Sequence, residues 1–255
     1  MPRLAAMARS WKTEAVVLRS IRFGESDRIL HLFTLERGRI GAIAKGARKT
    51  SSRFGARLEP LSHVDLVLHE GRGELHTVTS ADLLRSHDLS RTDGYRLAVG
   101  CIGLEAVLRL FVEGDANARA FHALARYLDV LDETAPADLP ATPALDPLAL
   151  SLQLKLLWVA GYLPHLAGCA ACGSEGPLVG FSPSEGGAVC DDCRTDAIGV
   201  TGEGFESIRA LLEHSLSDAA GAAGGVRGRR DALRVIESSY EFHGGFRLRT
   251  LARRA

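Results

Sequence analysis

The first third of the chain alternates between apolar and polar residues. Within residues 14–80, apolar side chains return at every second position, for example at Val64, Leu66 and Leu68. Successive side chains of a β-strand point to opposite faces of the sheet. This period of two therefore predicts strands that each bury one face.

Glycine-rich turns divide this alternating region into five predicted strands. In the first strand, Ala15, Val17, Ile21 and Phe23 share one parity. Five short strands within about seventy residues favour a small closed barrel over an open sheet. An OB-type barrel is the leading interpretation, and an SH3-like barrel is the alternative. The predicted strands are 15–23, 29–34, 39–44, 64–69 and 75–79.

From residue 91 onward, apolar residues return at every third or fourth position, which is the period of an amphipathic α-helix. Two apolar stripes predict two packed helices, and later helices are expected over 148–162, from about Thr201, and near the C-terminal end. Pro-rich residues 135–147 predict an extended connector, and Gly- and Ala-rich residues 219–228 predict a hinge. The stripes are Leu97, Cys101, Leu104, Leu108 and Phe111, then Phe121, Leu124, Leu128 and Leu131.

The change of period predicts an α+β fold with two domains. Residues 1–84 are expected to form the five-stranded OB-type β-barrel. Residues 85–255 are expected to form a mainly α-helical domain with an inserted four-cysteine zinc knuckle at about 165–197.

Two cysteine pairs define that insertion. Cys169 and Cys172 are followed, after a gap of 17 residues, by Cys190 and Cys193. Each Cys-x-x-Cys turn directs two thiolates to one centre, and four thiolates complete the tetrahedral site that zinc prefers. Because four protein ligands leave no position for a reactive water, one structural Zn²⁺ is predicted. Cys101 falls in the first helical stripe and is expected to be packed there.

Charge is distributed unevenly along the chain. Residues 1–60 hold 13 Lys and Arg against 5 Asp and Glu, and residues 225–255 hold 8 against 3, although the net charge of the whole chain is zero. The middle of the chain is therefore acidic. Different parts of the chain are expected to meet different partners.

The densest basic stretch is residues 36–57, which contains one acid, Glu36, and is punctuated by glycines. Long cationic side chains on a flexible backbone suit a polyanion, so nucleic acid is the first partner to test. A solvated loop without a partner is the alternative. The C-terminal sequence FRLRTLARRA is likewise either a second polyanion contact or a solvated tail. Phe54 either stacks on a base or packs against the barrel. The expected nucleic-acid-binding residues are Arg37, Arg39, Lys45, Arg48, Lys49, Arg53 and Arg57.

Composition and the N-terminal sequence bear on the compartment. The chain is 46% hydrophobic and 24% charged, as is typical of a globular protein. The longest apolar candidate, 148–163, is shorter than the roughly 20 residues that a membrane span needs. The first residues, MPRLAAMARSWK, lack an apolar core of signal-peptide length, and Met7 offers an alternative start. These observations predict a cytoplasmic protein.

Motifs for catalysis are absent from the sequence. The chain has no P-loop, no Gly-x-Ser-x-Gly and no His-Glu-x-x-His. Asp191 and Asp192 are interpreted as solvent-facing residues rather than as a nuclease site. A non-enzymatic binding protein is therefore predicted. The alternatives are a zinc-stabilised, nuclease-like enzyme that processes nucleic acids, and an RNA-binding or ribosome-associated barrel.

Several short motifs occur in a specific order. The most diagnostic is Ala44-Lys45-Gly46-Ala47-Arg48 in its strand context, and the others include Gly24-Glu25-Ser26, Leu58-Glu59-Pro60 and Gly161-Tyr162-Leu163-Pro164 before the cysteines. The final helix carries Tyr240 and His243. With these motifs, nearly the whole chain resembles the RecO family of bacterial DNA recombination and repair mediators.

The resemblance implies both a fold and a function. The fold is an OB barrel followed by a helical domain with a zinc knuckle. The function is to bind single- and double-stranded DNA without enzymatic activity, to anneal complementary strands, and to help load RecA on strands coated by the single-stranded-DNA-binding protein SSB. RecR and SSB are implied partners, RecF and RecA are implied pathway partners, and the implied location is the bacterial nucleoid. The helical-domain pocket that holds the SSB tail in some relatives has no motif that can be carried over to this chain.

Overall fold

A computed structural model of the chain describes residues 10–71, 73–134 and 142–251. Met7, Arg253, Arg254 and residues 135–141 of the predicted connector lie outside the described residues. The strands are β1 (Ser10–Phe23), β2 (Asp27–Thr34), β3 (Gly38–Ala44), β4 (His63–His69), β5 (His76–Arg85), β6 (Leu178–Ser182), β7 (Gly187–Cys190) and β8 (Ile198–Gly199). The α-helices are α1 (Asp88–Thr92), α2 (Gly94–Leu110), α3 (Ala118–Glu133), α4 (Pro147–Val159), α5 (Gly202–Glu213), α6 (Ala219–Ala222) and α7 (Val226–Gly244).

The chain divides into two compact units. The first holds the described residues up to Asp88 together with 111–125, and the second holds 89–110 and the described residues from 126 onward. The first contains the barrel and the second is mainly helical. The domain boundary between residues 84 and 85 stays a prediction.

The strands β1 to β5 close into a barrel in the order β1-β2-β3-β5-β4. Neighbouring strands are antiparallel except for β3 and β5, which are parallel. The five-stranded OB-type barrel that the alternation predicts is therefore confirmed. All five strands are longer than predicted, most of all β1, which begins at Ser10, and β5, which continues to Arg85.

The interior of the barrel is built from the alternating apolar residues. Leu30 and Leu32 of β2 are completely buried, as are Val64, Leu66 and Leu68 of β4. Burying one such side chain contributes about 1.5–3 kcal/mol. This core fixes the register of the strands, since a shift by one residue would expose the whole set.

A β-bulge interrupts β1. Val17 pairs with Leu32, whereas Arg19 pairs with His31, so Leu18 is the extra residue. The parity that Val17 shares with Phe23 therefore does not place both on one face. Val17 belongs to the barrel core, and Phe23 lies on the outer face beyond the bulge.

The helical stripes are confirmed in part. All four residues of the second stripe are buried, but in the first stripe Leu97 is 38% exposed and Cys101 only half-buried. The most buried positions of α2 include Val99 and Ile102 instead. Gly103 explains the shift, because a Cβ at this position would lie 2.6 Å from the ring of Tyr127. A small residue lets α2 approach this ring closely on a face that the stripe does not include.

Side-chain caps mark the starts of two of the later helices. Asp146 caps α4 by accepting from two backbone N–H groups, and α4 ends at Val159 rather than at Tyr162. Thr201 caps α5 with its hydroxyl oxygen, so the predicted start is confirmed. The hinge predicted at 219–228 is wrong, because α6 and the first turn of α7 occupy most of this range.

The cysteine-rich insertion contains a three-stranded sheet in the order β7-β6-β8, which the sequence interpretation missed. The described residues thus confirm an α+β fold with a barrel, a mainly helical part and an inserted four-cysteine cluster. None of the helices in the described ranges has the length and apolar character needed to cross a bilayer.

Candidate nucleic-acid interface and metal centre

The connection from β3 toward β4 carries a cluster of exposed positive charge, and we call residues 45–57 the basic loop. Five of the seven predicted cations lie in it and are exposed. Throughout the described part of the chain, none of the five forms an ion pair with a carboxylate. Their charges are therefore available to an external anion. These residues are Lys45, Arg48, Lys49, Arg53 and Arg57.

Backbone contacts tie the start of the basic loop to the turn between β1 and β2. The carboxylate of Asp27 accepts a hydrogen bond of 2.8 Å from the Gly46 N–H. The Arg48 N–H donates to the carbonyl oxygen of Ser26 at 2.8 Å. The hydrogen bond from Gly46 lowers the pKa of Asp27, and the positive charge of Lys45 adds to this effect. The loop is thus held against the end of the barrel while its cations stay in solvent.

The far end of the basic loop is anchored by Phe54. Its side chain is only 1% exposed and packs in the barrel core together with Leu58. The guanidinium of Arg53 lies 5.0 Å from the centroid of the Phe54 ring. The packing alternative for Phe54 is therefore confirmed, and this ring is not presented to a base.

Arg37 lies outside the basic loop, in the turn between β2 and β3. Its guanidinium is 4.0 Å from the centroid of the Trp11 indole ring, and its Nη1 atom is 2.8 Å from a carboxylate oxygen of Glu70. Trp11 also contacts the edge of His76. Arg37 already has a carboxylate and an aromatic partner within the protein.

Arg39 connects the barrel to the segment that precedes α3. Its Nη1 donates to the Phe111 carbonyl oxygen at 2.5 Å, and its Nη2 lies 3.7 Å from a carboxylate oxygen of Glu113. The Arg39 carbonyl accepts from the Gly114 N–H at 2.9 Å. Burial lowers the pKa of Arg39. Arg39 therefore holds residues 111–114 against β3 and is less accessible than the basic loop.

The sequence interpretation missed an aromatic residue beside the basic loop. Phe23, at the end of β1, is 51% exposed and pairs with Asp27. Arg19 and Arg22 on the same strand are also exposed. The signal that could have found Phe23 is the unbroken apolar run 15–18, because four apolar residues in a row disturb a period of two and are compatible with a bulge.

The four predicted metal ligands come together in one cluster. The Sγ atoms of Cys169, Cys172, Cys190 and Cys193 all lie within 4.8 Å of one another. The Cys172 and Cys190 Sγ atoms are 3.8 Å apart, and none of the cysteines is in a disulfide. A tetrahedron with metal–sulfur bonds of about 2.3 Å has edges of about 3.8 Å. The cluster therefore fits a single metal ion with thiolate ligands.

Backbone groups favour a thiolate at one corner of the cluster. N–H groups of Cys190 and Cys172 lower the pKa of Cys169 to about 6. The neighbouring side chains of Cys172 and Cys190 raise the pKa of Cys193 to about 12. Four thiolates cannot share this volume without a positive charge among them. A bound cation stabilises all four as thiolates.

Asp191 and His165 of the insertion have partners outside the cysteine cluster. Asp191 lies 3.1 Å from the guanidinium of Arg194, and both are exposed. His165 pairs through its backbone with the start of β7, because its carbonyl accepts from the Ala188 N–H at 2.8 Å. Within the described ranges, the four cysteines are the only group of three or more His, Cys, Asp or Glu that could hold a metal ion.

A groove of about 1130 Å³ lies in the helical unit. Leu97, Leu145 and Leu233 contribute to its apolar lining, and the exposed Arg230 and Arg249 line it as well. Apolar surface beside two guanidinium groups suits a short peptide that combines an apolar side chain with carboxylates.

Comparison with known proteins covers almost the whole chain. Residues 7–87 match the family model described as "Recombination protein O N terminal", and residues 91–252 match "Recombination protein O C terminal". Three similar proteins are each named DNA repair protein RecO. The relative from Rubrobacter xylanophilus is 40% identical over 234 residues, 89% of this chain and 88% of the relative.

The other two relatives come from different organisms. The protein from a Nocardioides species is 42% identical over 191 residues, which are 72% of this chain and 74% of the relative. The protein from Frankia casuarinae is 37% identical over 238 residues, which are 91% of this chain and 93% of the relative. With both family models matched and these identities, the chain belongs to the RecO family of non-enzymatic DNA recombination and repair mediators.

Proposed function

We propose that this protein binds single- and double-stranded DNA through the basic loop, anneals complementary strands, and with RecR assists RecA loading on SSB-coated DNA. The observation that carries the proposal is the set of five exposed cations in the basic loop, none with a carboxylate partner among the described residues. Membership of the RecO family supports a role in DNA recombination.

Annealing by such a surface needs no catalytic group. Two complementary strands repel each other through their phosphates, and cations that contact both reduce this repulsion. Contacts to phosphates position a strand without reading its bases, so annealing should show little sequence preference. Arg37 and Arg39 are expected to contribute less, because each lies within ion-pair distance of a carboxylate of the protein.

The metal in this proposal is one structural zinc ion. Cys169, Cys172, Cys190 and Cys193 would hold it, since their spacing fits a tetrahedral thiolate site. When bound, zinc supplies folding free energy to the insertion. The DNA-binding steps belong to the barrel and involve no metal ligand.

The groove of the helical unit is proposed as the SSB contact. Its two arginines and its apolar lining could bind the tail of SSB, as the resemblance to the family implies. Replacing Arg230 and Arg249 together by Glu should then reduce annealing of SSB-coated strands and leave annealing of bare strands unchanged. Equal loss on bare and coated strands would assign these arginines to DNA instead.

The direct test is strand annealing with SSB-coated complementary oligonucleotides in EDTA. The wild-type protein should anneal them without shortening either strand, and the triple variant Lys45→Ala, Arg48→Ala, Lys49→Ala should anneal them at least about tenfold more slowly. A control triple variant with the same change in charge replaces Arg119, Arg126 and Arg227, which are exposed outside the basic loop. Equal annealing by the two triple variants would contradict the proposal.

A further inference from the structure

The outer face of β1, β2 and β3 has a covered part and an open part. In the covered part, the fully buried Phe33 packs against Phe111 and Phe121, with ring centroids 5.6 and 6.1 Å away. Beyond the bulge at Leu18, the same face carries Phe23, which is 51% exposed. An aromatic ring is thus left in solvent at the end of the sheet.

The register shows that Phe23 shares this open face with apolar neighbours. Ile21 pairs with Ile29, and Ile29 pairs with Ile43, so the three isoleucines form a row across the strands. All three are half-buried. They lie on the same face as Phe23, which stays 51% exposed.

Phe23 lies at the same end of the barrel as the basic loop. Its pairing partner Asp27 accepts the hydrogen bond from the Gly46 N–H. The guanidinium of Arg48 lies 3.4 Å from the Gly24 carbonyl oxygen and 3.2 Å from the Glu25 carbonyl oxygen. Gly24 and Glu25 directly follow Phe23 in the chain. Arginine charge therefore lies next to the strand end that carries the ring.

An exposed Phe on its own is unremarkable, because single apolar residues are common on protein surfaces. Its neighbours distinguish Phe23. Arg19 is exposed on the same face of this strand, and the basic loop lies beside the turn that follows it. An aromatic ring among cations is the arrangement that binds unpaired strands, since bases stack on the ring while phosphates meet the charges.

We propose that Phe23 stacks on an unpaired base of the strand whose phosphates the basic loop holds, and that this contact makes the protein prefer single-stranded over double-stranded DNA. The inference rests on the proposed DNA binding and adds a base contact to it. Paired bases are enclosed in the duplex stack, so a duplex cannot offer the same contact along its length.

Fluorescence anisotropy with a labelled oligothymidine, an abasic strand of equal length and a duplex of equal length tests this inference. Phe23→Ala should weaken oligothymidine binding at least about fivefold and change binding to the duplex and the abasic strand less than about twofold. Phe23→Trp should restore binding, and Phe23→Leu should not. The control Phe242→Ala removes an aromatic residue of similar exposure, 57%, from α7 and should bind like wild type.

The outcomes separate stacking from phosphate binding. The salt dependence of Phe23→Ala should equal that of wild type, because no phosphate contact is removed. Unchanged oligothymidine binding by a folded Phe23→Ala protein would overturn the inference, as would full activity of Phe23→Leu or equal losses on all three ligands. If the Lys45, Arg48, Lys49 triple variant also binds like wild type, the proposed basic-loop site fails. If only that variant loses binding, the loop stands and stacking is excluded.

Discussion

The carboxylate of Asp27 accepts a hydrogen bond of 2.8 Å from the backbone N–H of Gly46. Asp27 begins β2 and Gly46 lies in the basic loop, so one bond joins the two connections at this end of the barrel. The contact places a negative charge close to Lys45 and Lys49, whose charges help to lower its pKa. The residue that positions the loop thus also reduces its positive potential.

Replacing Asp27 separates these two effects. Asp27→Asn keeps an oxygen that can accept from Gly46 and removes the charge, so DNA should bind about two- to fivefold more tightly. Asp27→Ala also removes the charge but leaves the Gly46 N–H without its acceptor, so its affinity should rise less. Anisotropy with a single-stranded oligonucleotide at low salt measures both. Weaker binding by Asp27→Asn would show that the carboxylate itself contacts the ligand or a bound cation.

Gly38 is expected to be essential to the barrel unit. Its φ is +62°, and an added Cβ would collide with the carbonyl oxygen of Asp115. Gly38→Ala should therefore lower the free energy of unfolding by about 2–4 kcal/mol. Gly24→Ala is the matched control, because Gly24 has a φ of +55° with open space around its Cβ position. Denaturant unfolding should show a loss of only about 1–2 kcal/mol for the control. Equal losses would mean that the Asp115 contact does not form.

The cysteine cluster predicts a selective response to serine substitution. Cys190→Ser should release about one metal ion per chain and lower the free energy of unfolding by more than about 2 kcal/mol. Cys101→Ser removes the cysteine that lies outside the cluster and should keep the metal. Elemental analysis of the purified proteins identifies and counts the ion. A metal-free wild type that is as stable as the metal-loaded form would contradict this account.

His76 predicts a pH dependence of stability. Burial, together with the nearby charge of Arg37, lowers the pKa of His76 below its usual value of 6.5. Between the two pKa values the unfolded chain binds more protons than the folded chain, so stability falls as the pH drops through this window. Between about pH 7 and about pH 5, the melting temperature of wild type should fall more than that of His76→Gln. The lowered pKa values of His31 and His243 act equally in both proteins. Parallel melting-temperature profiles would exclude a contribution from His76.

The barrel and the metal cluster could be predicted from the sequence, because both depend on local patterns. The alternation through Val64, Leu66 and Leu68 marks a buried face, and two Cys-x-x-Cys turns mark a four-thiol site. The bulge at Leu18 depends on pairing with β2, which lies outside the local pattern, and it moves Phe23 from the expected face to the other.

Which cations of residues 36–57 remain available also depends on contacts that the local pattern does not contain. All seven look alike in the sequence, yet Arg37 and Arg39 find Glu70 and Phe111 as partners, which lie far along the chain. Similarly, the close approach of Gly103 to Tyr127 shifts the buried face of α2 away from the predicted stripe. Partners that are distant in sequence decide which side chains remain available, and periodicity does not contain this information.

The salt dependence of single-strand binding is the sharpest test of DNA binding by the basic loop. The wild-type protein and a variant with Lys45, Arg48, Lys49, Arg53 and Arg57 all replaced by Ala are compared by anisotropy over a salt series. Removing one phosphate interaction with a single strand reduces the slope of log K against log salt by about 0.7, so removing all five should reduce it by up to about 3.5. A folded variant that keeps both the wild-type slope and the wild-type affinity would contradict DNA binding by the basic loop.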